Sequence, residues 1–314
     1  MIKIGTDIDF AAEQLRRGLL VGMPTETVYG LAANAFDADA VLGIFAAKNR
    51  PSFDPLIVHT ADLDRAGEVA DYIPDEARAL GAHFWPGPLT IILPKGKRIP
   101  DVVTSGLPGV AVRVPRHPLA LALLGSLDFP LAAPSANPFG YISPVTAAHV
   151  AAQLGDKVAY ILDGGPCEVG IESTIVSFAG KKPKILRLGG LTTEALEALI
   201  GKTESAPTST SNPAAPGMLS SHYAPRKKLL LGDMDALLTE NADSEIAVLG
   251  FRHTYGLPGI ALSPGGDTTE AAKNLFAAMR ELDATPGDLI LAERLPDSGL
   301  GRAVNDRLSR AAFK

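Results

Sequence analysis

Leu19-Leu-Val-Gly-Met-Pro-Thr-Glu-Thr-Val-Tyr-Gly30 is the stretch on which the fold of this chain turns. Leu19–Met23 is an apolar run of strand length, and Pro24 ends it. Two hydroxyls and a carboxylate follow at once, at Thr25, Glu26 and Thr27. Such side chains at a strand exit can line a pocket for a small zwitterion, and they also suit an ordinary strand-to-loop exit. Upstream, Asp7–Arg17 reads as a helix, with Ile8, Ala11, Ala12 and Leu15 on one face and Gly18 as its stop. Downstream, Asp37 caps a second helix with Val41, Ile44 and Phe45 on one face. Pro51 bars that helix from continuing, so Lys48 and Arg50 fall at its C-terminal end or just past it.

Strands are predicted at 56–59, 89–93, 110–114, 130–133, 159–162, 173–178 and 185–188. Helices are predicted at 75–83, 118–124, 145–154 and 193–200. Strands outnumber helices and some are neighbours in sequence, which argues for an α/β fold on a mixed sheet. Thr203–Pro216 has no large apolar side chain and is full of Ser, Thr, Pro and Ala. It cannot build a core and reads as a linker. Beyond it, strands at 229–231, 246–249 and 289–292 and a helix over 268–282 predict a small second α/β layer structure.

The chain has 314 residues, which favours two domains, and its net charge is −6. A chain that lives by gripping nucleic acid usually carries a basic excess, so that class starts at a disadvantage. Cys167 is the single cysteine, which excludes an internal disulfide framework and a cysteine-built zinc site. The N-terminus lacks a signal-peptide core, and the longest apolar stretch, 118–134, is interrupted by Gly125, Asp128 and Pro130. The expectation is a cytoplasmic protein with no membrane contact.

The side chains that can carry chemistry are few. Lys48 and Arg50, two residues apart, can clamp phosphate, though a solvated helix end looks the same. Ser135 and Asn137 sit in a turn stiffened by Pro134 and Pro138 and offer neutral donors and acceptors. His59 ends a predicted strand. Arg113 lies in Val110-Ala-Val-Arg-Val114, where 110, 112 and 114 share the opposite face, and Arg187 lies in a similar strand. Each arginine calls for an anion, because burying its charge unpaired is costly. No phosphate loop, dinucleotide fingerprint or zinc-protease motif occurs.

Pro24–Gly30, Lys48-Asn-Arg-Pro51, Pro55–His59, Pro134-Ser-Ala-Asn137 and Glu172-Ser-Thr-Ile-Val176 together resemble the YrdC/Sua5 family. Pro216-Gly-Met218, His222-Tyr-Ala-Pro225 and Gly299–Leu308 resemble the linker and end of its two-domain, Sua5 type. The resemblance spans nearly the whole chain. It implies a YrdC-like twisted open mixed sheet over 1–202, a linker and active-site lid over 203–225, and a small Rossmann-like domain over 226–314. It implies a threonylcarbamoyl-AMP synthase, which joins L-threonine, bicarbonate or CO2, and ATP with release of pyrophosphate, for modification of adenosine 37 in tRNA. Carried over residue by residue, Lys48, Arg50, Ser135 and Asn137 are expected to be catalytic. Thr27, His59, Arg113, Ala133 and Ser173 are expected around threonine. Arg50, Asp54, Gly109, Ser135, Ser143, Arg187 and Met218 are expected around ATP and Mg2+, and His222 and Tyr223 in the lid. The downstream tRNA threonylcarbamoyl transferase machinery is the implied partner, with weak or indirect tRNA contact. Family members often carry Asn where this chain has Asp54, and a carboxylate there repels a triphosphate unless a metal bridges them or the acid is protonated. Two other readings are an RNA-binding module on the same fold and a carbamoyl-adenylate-forming carbamoyltransferase. The acidic balance weighs against the first, and the single cysteine against the second, whose members carry cysteine-rich zinc modules.

Overall fold

The computed structural model describes residues 3–180, 182–205 and 215–313. Two sheets organise them. The larger is an eleven-stranded sheet, twisted and mixed. Its middle runs in space as Val21–Met23, Gly30–Asn34, Leu131–Ala132, Ile57–His59, Gly109–Arg113, Leu89–Pro94, Thr174–Ser177 and Lys184–Arg187. Ile57–His59 lies parallel to Gly109–Arg113, in a register that pairs His59 with Arg113. Leu89–Pro94 is antiparallel to Gly109–Arg113 and parallel to Thr174–Ser177.

Period-two alternation splits these strands between two environments. Val58, Val110, Val112 and Val176 point into the main core, together with Val41 and Ile44 of the helix Ala38–Lys48. Ile57, Ala111, Ile175 and Leu186 form a separate cluster on the other side. Ala215 and Met218 complete that cluster, so the linker serves there in place of a helix.

The smaller sheet has four strands, Lys228–Gly232, Leu289–Glu293, Ile246–Gly250 and Gly259–Ala261, all parallel. The helix Thr268–Ala284 buries Leu275, Phe276 and Met279 in a core continuous with that of the larger sheet. The final helix, Gly301–Ala311, buries Arg307 and Arg310 as well as Val304 and Leu308.

Two departures from the sequence reading bear on the larger sheet. Gly30–Asn34 is a strand although Gly-Leu-Ala-Ala-Asn has no β-branched or aromatic residue. It forms because Val21–Met23 and Leu131–Ala132 pair with it on both sides. The expected linker also begins as a sheet edge, since Glu204–Ser205 pairs in parallel with Lys184 and Ile185. Positions 206–214 of that linker lie outside the described residues. Among the described residues, no helix is long and apolar enough to cross a membrane.

Candidate active site

A pocket opens where the linker meets the sheet. His59 and Arg113 come to its floor as the last residues of two adjacent parallel strands, each on the face opposite its valine neighbours. Arg113 lies with Nη2 2.9 Å from Glu26 Oε1, and its Nε donates to Gly87 O. Glu26 also accepts from the backbone N–H of Arg116. Burial, with Arg113 close by, holds the His59 pKa down to about 3, so the imidazole is neutral. Its Nδ1 is buried without a hydrogen-bond partner among the described residues.

The helix Ala38–Lys48 delivers the next pair. Asn49 adopts a left-handed backbone, φ 52° and ψ 41°, which ends the helix before Pro51. Arg50 is thereby turned into the pocket wall. Its Nη2 is 2.9 Å from Asp54 Oδ2, and it donates to the carbonyls of Asp54 and Pro55. Burial pushes Asp54 up and Arg50 down, and each charge partly offsets the shift of the other. Asp54 is therefore matched by a guanidinium and does not line the pocket.

Lys48 takes the opposite direction. Its Nζ donates to Ser135 O and Asn137 O, both at 2.5 Å, and its own carbonyl accepts from Phe139 N. Burial and neighbouring Arg50 hold its pKa well below the ordinary lysine value. The lysine thus stitches the Pro134–Pro138 turn to the helix end. Ser135 faces the pocket, while Asn137 turns its amide Nδ2 to Pro138 O and Tyr141 O.

Arg187 closes the opposite wall. It donates to Ser173 O, Ser173 Oγ and Pro216 O, all neutral acceptors. No carboxylate pairs with it at salt-bridge distance among the described residues, and burial lowers its pKa to about 10. Glu172 stands beside it, accepting from Ser143 Oγ at 2.6 Å and from Arg307 Nε at 2.9 Å. Burial would raise the Glu172 pKa, but Arg307 and Arg187 outweigh it and hold the carboxyl below the usual range.

Pro216, Gly217, His222 and Tyr223 roof the pocket. Gly217 has φ +76°, and a Cβ there would lie 2.7 Å from the Tyr223 hydroxyl. Tyr223 itself is left-handed, φ 62°, with its ring stacked on Phe276 at 5.5 Å between centroids.

Of the residues expected from sequence, the fold brings Arg50, His59, Arg113, Ala133, Ser135, Arg187, His222 and Tyr223 to this one pocket. Thr27, Ser173 and Ser143 stand one layer behind, bonded to the lining Thr25, Arg187 and Glu172 respectively. Gly109 and Met218 do not line it, and Met218 packs with Ile57 and Ala111 beside it. Glu172 and Arg307 were given no role from sequence, and Glu26, read as a carboxylate able to line the pocket, instead stands behind it on Arg113. Glu26 and Glu172 lie inside the quoted motifs, but their partners are far along the chain, and no local pattern marks them.

A family model described as telomere recombination, Sua5/YciO/YrdC, matches residues 13–189. A second, described as threonylcarbamoyl-AMP synthase, C-terminal domain, matches residues 191–313. The chain is similar to the threonylcarbamoyl-AMP synthase of Pyrococcus abyssi, 42% identical over 97% of this chain and 94% of the relative. It is also similar to that of Bacillus subtilis, 41% identical over 96% of this chain and 92% of the relative. Among solved structures it resembles P. abyssi Sua5 complexed with L-threonine, with a TM-score of 0.94, 40% identity, and coverage of 99% of this chain and 97% of that one.

Proposed function

The chain belongs to the Sua5/YciO/YrdC family, in its form with a threonylcarbamoyl-AMP synthase C-terminal domain, and from that premise we propose how it makes threonylcarbamoyl-AMP. The observation that carries the reading is Arg187, a buried pocket cation held only by neutral acceptors. A charge so placed wants an anion, and a nucleotide phosphate under the linker roof supplies one.

Arg187, Arg50 and Ser135 hold the phosphates of ATP, with Ser143 one layer behind on Glu172 and Met218 packed beside the pocket. Arg113 keeps Glu26 on one nitrogen and uses its remaining donors for the carboxylate of L-threonine. Neutral His59 offers Nδ1 to the threonine hydroxyl, with Ala133, Thr27 and Ser173 around it. The threonine amine combines with CO2 from bicarbonate, losing a proton, to give a carbamate. A carbamate oxygen then attacks the α-phosphorus, the bond to the bridging oxygen breaks, and pyrophosphate leaves. No protein nucleophile is required. The side chains position the reactants and offset charge that builds on the phosphates. Lys48 and Asn137 act through the turn that presents Ser135.

The described residues hold no cluster of three or more His, Cys, Asp or Glu side chains fit for a cation, and Asp54 is committed to Arg50. Mg2+ would arrive with the nucleotide and would offset charge on its phosphates. The working parts are 1–202 for catalysis, 203–225 as linker and lid, and 226–314 as the domain behind the lid. The setting is the cytoplasm. The product passes to the tRNA threonylcarbamoyl transferase machinery, and tRNA contact with this chain is weak or indirect.

The test is release of pyrophosphate from ATP. The expected result is turnover that needs both threonine and bicarbonate and is lost in Arg187→Met. Full turnover with either small substrate omitted sinks the reading.

A further inference from the structure

Glu172 is a carboxylate in the wall of a pocket that, on the reading above, takes a polyanion. Its counter-charge comes from the other domain. Arg307, fully buried in the helix Gly301–Ala311, sends Nε to Glu172 Oε2 at 2.9 Å and Nη2 to Leu188 O at 2.7 Å. Its third nitrogen pairs with Asp306 at 2.7 Å, and its guanidinium lies 5.1 Å from the centre of the Tyr223 ring. Asp306 in turn holds Arg310, which donates to Leu219 O of the linker and whose own carbonyl accepts from His222 N. One helix face therefore carries a continuous line of charge from the pocket wall to the roof.

We propose that Arg307 is a positioning residue of the C-terminal domain, which neutralises and orients Glu172 so that the pocket accepts ATP, and which seats the linker over it through Tyr223 and the Asp306–Arg310 pair. The proposal rests on ATP being the pocket's ligand. Three features support it. The fork is used on three separate acceptors, so lysine cannot reproduce it. Glu172 is turned by Ser143 and Arg307 to present both oxygens to donors, away from an incoming phosphate. Without Arg307, a buried carboxylate would face the triphosphate with only Arg187 to offset it, and Arg187 is the cation the nucleotide itself needs.

A double-mutant cycle on the full chain tests this, read as the calorimetric Kd for ATP, so that the result does not depend on turnover. Arg307→Met is expected to weaken ATP binding about tenfold or more in the wild-type background and less than about twofold in a Glu172→Gln background. Arg307→Lys, which keeps the charge, is expected to fall between and serves the same cycle if Arg307→Met does not fold. Equal losses in the two backgrounds, or an unchanged Kd, overturn the inference, because a merely structural arginine would lower thermal stability and leave this coupling at zero. Coupling in a chain that makes no threonylcarbamoyl-AMP leaves the inference standing and sinks the functional reading. A wild-type chain that binds no ATP overturns both.

Discussion

Arg50 and Asp54 form a nearly buried ion pair, Asp54 fully enclosed and Arg50 touching the pocket, four residues apart and just beyond a helix end. Removing one partner strands the other, and the cost of that is larger than the pair's net worth. Arg50→Met should therefore destabilise the fold by about 3–5 kcal/mol in chemical denaturation, and the Arg50→Met/Asp54→Asn double variant should recover much of it. Lys48→Met leaves the carbonyls of Ser135 and Asn137 without their donor, at about 1–3 kcal/mol each. Neutral His59 and His222 set an acid limit. Both are less basic folded than unfolded, mainly through burial. Their stabilising contribution is complete above the ordinary histidine value of 6.5 and is lost as the pH falls toward the folded value, about 3 for His59. The thermal midpoint should fall through that window, with a shallower slope in His59→Gln. At this scale much was legible. Lys48, Arg50, Ser135, Asn137, Arg113 and Arg187 stand out as polar groups beside apolar runs. The direction each one points was not legible. A K-x-R spacing is compatible with two cations facing one ligand, yet the left-handed turn at Asn49 sends Arg50 to the pocket and leaves Lys48 on backbone carbonyls.

The linker is the element on which the site depends. Ala215 and Met218 bury against Ile57, Ala111 and Ile175, and Tyr223 stacks on Phe276. Gly217 permits the close crossing over Arg187, with φ +76° and no room for a Cβ beside the Tyr223 hydroxyl. Gly217→Ala should lift the roof and raise KM for ATP, read by steady-state kinetics of pyrophosphate release. Equal KM values for the variant and the parent chain would show that the roof is not needed for binding. Hydrogen exchange over 215–223 should slow when ATP and threonine are both present. From sequence, composition marked 203–216 as unable to pack and the resemblance implied a lid at His222 and Tyr223, but the surface on which the lid docks was not visible. Its apolar anchors begin at the end of the Ser/Thr/Pro run, and the surface that receives them is assembled from four separate strands.

At the scale of the molecule the two sheets share one core, and the contacts between their domains are specific. Arg280 of the helix Thr268–Ala284 donates to Ser143 O, Ile142 O and the Gln153 side chain. Gly170, with φ +77°, lies where a Cβ would stand 2.3 Å from Lys273 O. Gly170→Ala should wedge the domains apart. We expect the parent chain to unfold in a single denaturant transition and this variant in two, followed by far-ultraviolet circular dichroism. A single, unshifted transition in the variant would show that the interface yields cheaply.

The amino-acid sequence by itself determined the alternation of short apolar strands and helices, the mixed sheet, and the order of the motifs that mark the family. These are local properties, set by hydrophobic period, caps and prolines, and they survive in one dimension. It did not reveal the strand Gly30–Asn34, whose pairing comes entirely from its neighbours. It also missed the helix Gly301–Ala311, whose buried face includes two arginines beside Val304 and Leu308. Tertiary structure alone decided who faces whom. Glu26 with Arg113 and Glu172 with Arg307 are separated by 87 and 135 positions. Each pairing exists because strand register and domain packing exclude water at that point, and a buried charge then has to find its partner across the fold.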